Sequence, residues 1–103
     1  MLITGINGAF KGYWYEEGYI RTTSFEYSVK NCRDNLVHLT NDAIQKHNED
    51  YGRFEKGNKL SYQDFQRYLD QNHRGLDFLG GILPKMKRIC TDAMRASYFL
   101  LDP

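Results

Sequence analysis

Four consecutive residues, His38-Leu39-Thr40-Asn41, place an imidazole, a hydroxyl and a carboxamide within one short stretch of chain. A hydroxyl beside an amide can meet a ribose, a phosphate or a metal-bound water, and the free backbone amides of a helix start attract anions. Upstream, Arg21 stands in Tyr19-Ile20-Arg21-Thr22-Thr23. A planar, permanently charged fork on a rigid strand is suited to holding a carboxylate or phosphate through two parallel hydrogen bonds. Each group also has a plainer reading. Thr40 and Asn41 are ordinary helix caps, His38 beside Leu39 fits a hydrogen-bonded structural residue, and an isolated surface arginine contributes little.

The elements that must position these groups are β first and helical later. Leu2-Ile3-Thr4, Phe10 to Tyr15 and Tyr19 to Thr23 are predicted strands. Asn7-Gly8 and Glu16-Glu17-Gly18 turn the chain between them, which predicts a three-stranded antiparallel meander. The period of two sets Tyr19, Arg21 and Thr23 on one face and Ile20 and Thr22 on the other. A polar loop from Phe25 to Asn35 follows, and then a short helix from Asp42 to Lys46 capped by Thr40 or Asn41. Ser61-Tyr62-Gln63-Asp64 has capping-box spacing with Asp in the usual Glu position, so a helix is expected from there to between Asn72 and Gly75. Gly80-Gly81 breaks the chain, and Pro84 suits the first turn of a longer helix. Met86, Ile89, Cys90, Ala93, Met94 and Ser97 form its apolar face, with Lys85, Lys87, Arg88 and Arg95 outside it.

A chain of 103 residues accommodates one small domain. A formal net charge of +1 supplies no field that would gather nucleic acid. Fifteen per cent aromatic residues, with eight Tyr and six Phe, exceed what a disordered segment carries. No apolar run is long enough to span a membrane and the N-terminus has no basic leader, so the chain is expected in the cytoplasm. Cys32 and Cys90 lack zinc-ligand spacing and read as reduced thiols.

Downstream, Tyr51-Gly52-Arg53-Phe54-Glu55-Lys56-Gly57-Asn58-Lys59 nearly spells a phosphate-binding loop. Asn58 interrupts the Gly-Lys pair and no strand precedes it, which excludes that motif. The order of elements fits another pattern. Tyr15, Gly18 and Arg21 on a hairpin, His38-Leu39-Thr40-Asn41 at a helix start, Gln45-Lys46, Tyr51-Gly52-Arg53 and then an aromatic helix through Phe65-Gln66-Arg67-Tyr68-Leu69 resemble the tubulin-tyrosine ligase family. The match runs from Tyr13 to roughly Leu69.

The resemblance implies an α+β fold, with residues 1–103 an internal part of an ATP-grasp catalytic domain. It implies a ligase that activates a carboxylate with ATP as an acyl-phosphate and joins it to an amine on tubulin. Arg21 would orient the incoming amino acid or its acyl-phosphate, Thr40 and Asn41 would contact the nucleotide, and His38 would support them. ATP and Mg²⁺ are the implied cofactors. The implied partners are tubulin or its acidic tails and free Tyr or Glu, in the cytoplasm on microtubules or in cilia. The family's basic Lys and Asp-Ile-Arg segment and its acidic Glu-x-Asn metal pair have no counterpart in this sequence, so the Mg²⁺ ligands are expected outside it. Such a chain would position substrates without turning them over. The alternative is a non-catalytic module that meets acidic tubulin tails through Lys85, Lys87, Arg88 and Arg95, or a fragment without activity of its own. Apolar surface is then expected to stand exposed where other parts would dock.

Overall fold

The computed structural model of the chain describes every residue except Asn7, Asp102 and Pro103, and only the backbone of Ile6 and Leu101. The turn residue Asn7 of the expected Asn-Gly pair therefore falls outside the described residues. The fold is α+β, in two compact units: Met1–Gly18 with Gln66–Pro103, and Tyr19–Phe65.

In the first unit, β1 (Leu2–Ile6) pairs antiparallel with β2 (Ala9–Tyr13), Leu2 opposite Tyr13 and Ile6 opposite Ala9. Gly8 has φ 75°, as a tight connection between such strands requires. Helix α3 (Tyr62–Asn72) opens on the cap that the sequence marks, Ser61 Oγ accepting the Asp64 N–H at 3.0 Å, and it ends where expected. Gln66 of that helix reaches across to the next segment. Its Oε1 accepts the N–H groups of Phe78 (2.7 Å) and Leu79 (3.1 Å), and its Nε2 donates to the Leu76 carbonyl (3.2 Å).

These bonds anchor a π-helical turn, Phe78–Ile82, that runs straight into α4 (Leu83–Leu101). Gly80-Gly81 is thus no break. Asp77 Oδ1 accepts the Gly80 N–H at 2.8 Å, an approach that a Cβ at Gly80 would obstruct. Leu69, Phe78 and Leu83 are the buried apolar residues of this unit among those described.

The orientation of α4 departs from the periodicity. Lys87, Thr91, Met94, Arg95 and Tyr98 line a cleft of about 640 Å³ together with hairpin residues that include Phe10 and Trp14. Ile89, expected on the packed face, is 67% exposed. The aromatic hairpin takes aromatic and amphipathic side chains instead. Phe10 and Tyr98 meet edge to face at 5.0 Å, and the Lys87 ammonium lies 5.9 Å from the Trp14 ring centre and 3.4 Å from Glu16 Oε1. A lysine stem can cover apolar surface while its head stays wet, and a hydropathy pattern does not count that. Lys87 is therefore not part of a free basic face. The expected exposed apolar surface is present, with Tyr15, Ile89, Phe99 and Leu100 all open to solvent.

In the second unit, β3 (Tyr19–Arg21) pairs antiparallel with β4 (Lys59–Ser61). The expected three-stranded meander does not form among the described residues: β1–β2 and β3–β4 are separate two-stranded sheets. Ile20 opposite Leu60 gives β3 a half-buried apolar partner. Two one-turn helices follow β3. Helix α1 (Asn35–His38) is capped by Asp34, whose Oδ1 accepts the Leu36 N–H at 2.9 Å, and it buries Val37. Helix α2 spans Asp42–Gln45.

The interior of this unit is polar. Gln45 is fully buried; its Oε1 accepts the Ser24 N–H at 3.1 Å and its Nε2 donates to the carbonyls of Leu36 (3.0 Å) and Leu39 (2.7 Å). Asn58, in the left-handed region at φ 50°, donates to Ser24 Oγ (2.9 Å) and accepts the Gly52 N–H (2.8 Å). The backbones leaving β3, leaving α1 and entering β4 are thus fastened to one another by two buried amides. Buried polar groups are tolerated when satisfied in this way.

Candidate anion-binding site

The period of two and the β3–β4 register put Tyr19, Arg21 and Lys59 on one exposed face, Arg21 opposite Lys59. Arg21 Nη2 donates to the Tyr19 hydroxyl at 3.3 Å. The Arg21 guanidinium carbon and the Lys59 ammonium each lie 5.7 Å from the Tyr19 ring centre. The hydrogen bond and charge of Arg21 hold the Tyr19 phenol below its usual range and keep the guanidinium firmly protonated. Like charges opposite each other in a ladder repel. Among the described residues neither cation has a carboxylate at ion-pair distance, so the face is exposed and cationic.

Asp42, the first residue of α2, is within the field of both cations. Its Oδ1 accepts the Tyr51 hydroxyl hydrogen at 2.5 Å. That bond, with Lys59, Arg21 and Lys46 nearby, holds the Asp42 carboxyl below the ordinary carboxylate value, and the same bond raises the Tyr51 phenol. The carboxylate takes its hydrogen bond from Tyr51 and stays charged, a nearby anion that makes no ion-pair contact with Arg21 or Lys59 among the described residues.

The four residues singled out by sequence have unequal positions. Arg21 is exposed on β3. Thr40 and Asn41 are exposed in the turn between α1 and α2, and Asn41 is the α2 N-cap with no side-chain capping bond, so its carboxamide is not occupied as an ordinary cap would be. His38 is not at a helix start; it is the last residue of α1. Its Nε2 lies 2.8 Å from the Asn31 carbonyl and its ring meets Tyr27 edge to face at 5.5 Å. A carbonyl partner needs the proton on that nitrogen, which makes His38 a brace. Helix α2 is a single turn, so the dipole expected to draw anions to the Thr40-Asn41 turn sums over few peptides. No hydrogen bond among the described residues joins Arg21 to this turn. The two are linked through Gln45, which holds Leu39 on one side and Ser24 on the other.

Sequence reasoning missed Lys59, Asp42, Tyr51, Gln45 and Asn58. The first required knowing that β4 exists. Among the described residues no three His, Cys, Asp or Glu side chains converge as a ready-made metal cage, whereas the β3–β4 face is cationic and suits an anion.

The profile described as the Tubulin-tyrosine ligase family matches residues 1–97, further in both directions than the motifs alone. Tubulin glycylase 3B of Tetrahymena thermophila is 30% identical over 84 residues, which is 82% of this chain and 7% of that protein. Tubulin glycylase 3A of Drosophila melanogaster is 36% identical over 93 residues, 87% of this chain and 9% of the relative. Probable tubulin polyglutamylase TTLL9 of Mus musculus is 35% identical over 63 residues, 61% and 13% respectively. The chain spans about a tenth of the length of these relatives. With a match over nearly its whole length, the chain belongs to the tubulin-tyrosine ligase family.

Proposed function

We propose that this chain is a substrate-positioning part of an ATP-dependent carboxylate–amine ligase that modifies tubulin, within an ATP-grasp catalytic domain. Family membership supports the ligase class, and the observation that carries the reading is the exposed Arg21, without an ion-pair contact among the described residues, on a strand where it bonds Tyr19. In this reading Arg21 holds a carboxylate or phosphate of the reacting amino acid, and Thr40 and Asn41 offer hydroxyl and amide contacts to ATP. Bound ATP would supply the phosphoryl group that activates the carboxylate. His38 and Gln45 hold the turn in place. The residues of this chain present anion-binding and hydrogen-bonding groups, and the metal's carboxylates are to be sought elsewhere in the enzyme.

The names of the relatives widen the donor beyond tyrosine and glutamate, because glycylases stand beside polyglutamylases. A cytoplasmic, microtubule-associated setting goes with that chemistry; no helix among the described residues is long and apolar enough to cross a membrane. The basic-face alternative loses one member, since Lys87 is engaged by Glu16.

The test is Arg21→Lys in an active ligase carrying this sequence, assayed with Mg-ATP, tubulin and labelled glycine, glutamate or tyrosine. Lysine keeps the charge and loses the two-pronged geometry. A fall in kcat/KM of about 10²-fold or more with an unchanged melting curve is expected. Wild-type kinetics would remove Arg21 from the reaction.

A further inference from the structure

Asn58 interrupts the near phosphate-binding string between Tyr51 and Lys59, and contact with a substrate does not explain an asparagine there, because its side chain is buried. It is 5% exposed and stands in the left-handed region at φ 50°, directly after Gly57 at φ 63°. Asparagine tolerates that region better than most side chains, yet backbone strain of this kind persists only where the surroundings hold it, and it gathers at functional sites. We propose that Asn58 is a positioning residue for the ligase reaction, its buried carboxamide setting the strand that carries Arg21 in register with the Thr40-Asn41 turn. This rests on the reading of Arg21 and Asn41 as substrate-binding groups and adds the residue that aligns them.

The backbone and the side chain of Asn58 face the two halves of the site. Its carbonyl accepts the Thr22 N–H at 2.9 Å, one residue past Arg21, and so extends the β3–β4 ladder beyond the Arg21–Lys59 pair. Its own N–H donates to the Glu55 carbonyl at 2.9 Å, and Glu55 Oε2 accepts the Thr22 hydroxyl hydrogen at 2.8 Å. The chain leaving Arg21 is therefore pinned from the Asn58 side. The carboxamide continues toward the turn. Nδ2 donates to Ser24 Oγ at 2.9 Å, the Ser24 N–H donates to Gln45 Oε1 at 3.1 Å, and Gln45 Nε2 donates to the Leu39 carbonyl at 2.7 Å, next to Thr40. Asn58 Oδ1 meanwhile accepts the Gly52 N–H at 2.8 Å, which fixes which end of the amide donates. An unbroken run of hydrogen bonds, each 3.1 Å or shorter, thus leads from the residue after Arg21 to the residue before Thr40. Such bonds are directional and gain strength in a buried setting, so the relay fixes distance and angle together.

The experiment is a double-mutant cycle of Asn58→Gly and Arg21→Lys in an active ligase carrying this sequence. It uses Mg-ATP, tubulin and whichever of labelled glycine, glutamate or tyrosine the wild type incorporates, at a temperature below the melting of every variant. Glycine accepts the left-handed backbone and removes only the carboxamide. Asn58→Gly is expected to lower kcat about 10- to 100-fold with both KM values within about twofold of wild type, since the binding groups survive and only their alignment is lost. On the Arg21→Lys background the same change should cost less than about threefold, because the fork that Asn58 aims is already gone. A merely structural role gives a different pattern: a lower melting temperature with kcat per folded molecule unchanged, or the same loss on both backgrounds. Either result refutes the positioning role. Should Asn58→Gly fail to fold, Ser24→Ala breaks the relay at its next link while keeping the Ser24 N–H, and the same cycle decides with it. Arg21→Lys with wild-type kinetics would overturn the underlying reading as well, whereas an impaired Arg21→Lys whose loss simply multiplies with that of Asn58→Gly withdraws Asn58 alone.

Discussion

The Tyr51 hydroxyl donates to Asp42 Oδ1 across 2.5 Å, joining the first residue of α2 to the loop that leads into β4. The bond favours the charged carboxylate and the neutral phenol, so Asp42 titrates below its ordinary value of 3.8 and Tyr51 above 10.0. The signs follow by linkage. Asp42 contributes stability that is complete above its unfolded pKa and is lost as pH falls through its lower folded value. Tyr51 contributes stability that is complete below its unfolded pKa and is lost as pH rises through its higher folded value. Tyr51→Phe should move the Asp42 carboxyl titration upward by NMR and remove the pair's contribution to stability at neutral pH. An unmoved carboxyl titration would mean that the bond is not made in solution.

Gln45→Ala should be among the most damaging single changes in Tyr19–Phe65. It leaves the Ser24 N–H and the Leu36 and Leu39 carbonyls without their partner. At about 1–3 kcal/mol for each orphaned buried group, a loss of 3 kcal/mol or more is expected in urea unfolding. A loss below about 1 kcal/mol would show that water takes over these bonds.

Ile89 and Leu83 make a matched pair on α4. With Ile89 67% exposed and Leu83 8% exposed, Ile89→Asp should change stability by less than about 0.5 kcal/mol, whereas Leu83→Asp should lose about 3 kcal/mol or more. Equal melting curves for the two variants would contradict the orientation of the helix.

Asn41→Ala separates a nucleotide contact from a cap. Because Asn41 makes no side-chain capping bond, the usual penalty of about 1 kcal/mol should be absent. In an active ligase carrying this sequence, the expected result is a raised KM for ATP with an unchanged melting curve. A stability loss with intact kinetics would return Asn41 to a structural role.

The chain by itself should show no incorporation of labelled amino acid into tubulin with Mg-ATP, since no metal-ligand cluster is present among its described residues. Incorporation above background would show that these residues suffice for the chemistry.

How far the sequence was legible depended on the range of the forces involved. Local signals were read correctly: the Ser61 cap, the end of α3, Pro84 in the first turn of α4 and the strand carrying Arg21. The partner of that strand was not. Lys59–Ser61 is three residues long, and its pairing with Tyr19–Arg21 closes a loop that no local pattern registers. The surroundings of the candidate residues were legible only in part for the same reason. The exposed face of Arg21 followed from the strand period and its candidate role from the family resemblance, while Lys59 became its neighbour only through the pairing. Nothing local marks Gln45 and Asn58 as buried, because the groups they bond come from distant parts of the chain.

The polar interior of Tyr19–Phe65 has a thermal consequence. Exposing apolar area raises the heat capacity of a protein and exposing polar area lowers it, by about 0.45 and 0.26 cal/K/mol per Å². Unfolding a segment whose fully buried side chain is Gln45, with Ser24, Asn48 and Asn58 also buried, is therefore expected to carry a smaller heat-capacity change than an apolar interior of the same size. A flatter dependence of stability on temperature is the expected consequence. The geometry between the arginine strand and the Thr40-Asn41 turn is set by directional bonds whose strength does not fade as the hydrophobic effect weakens.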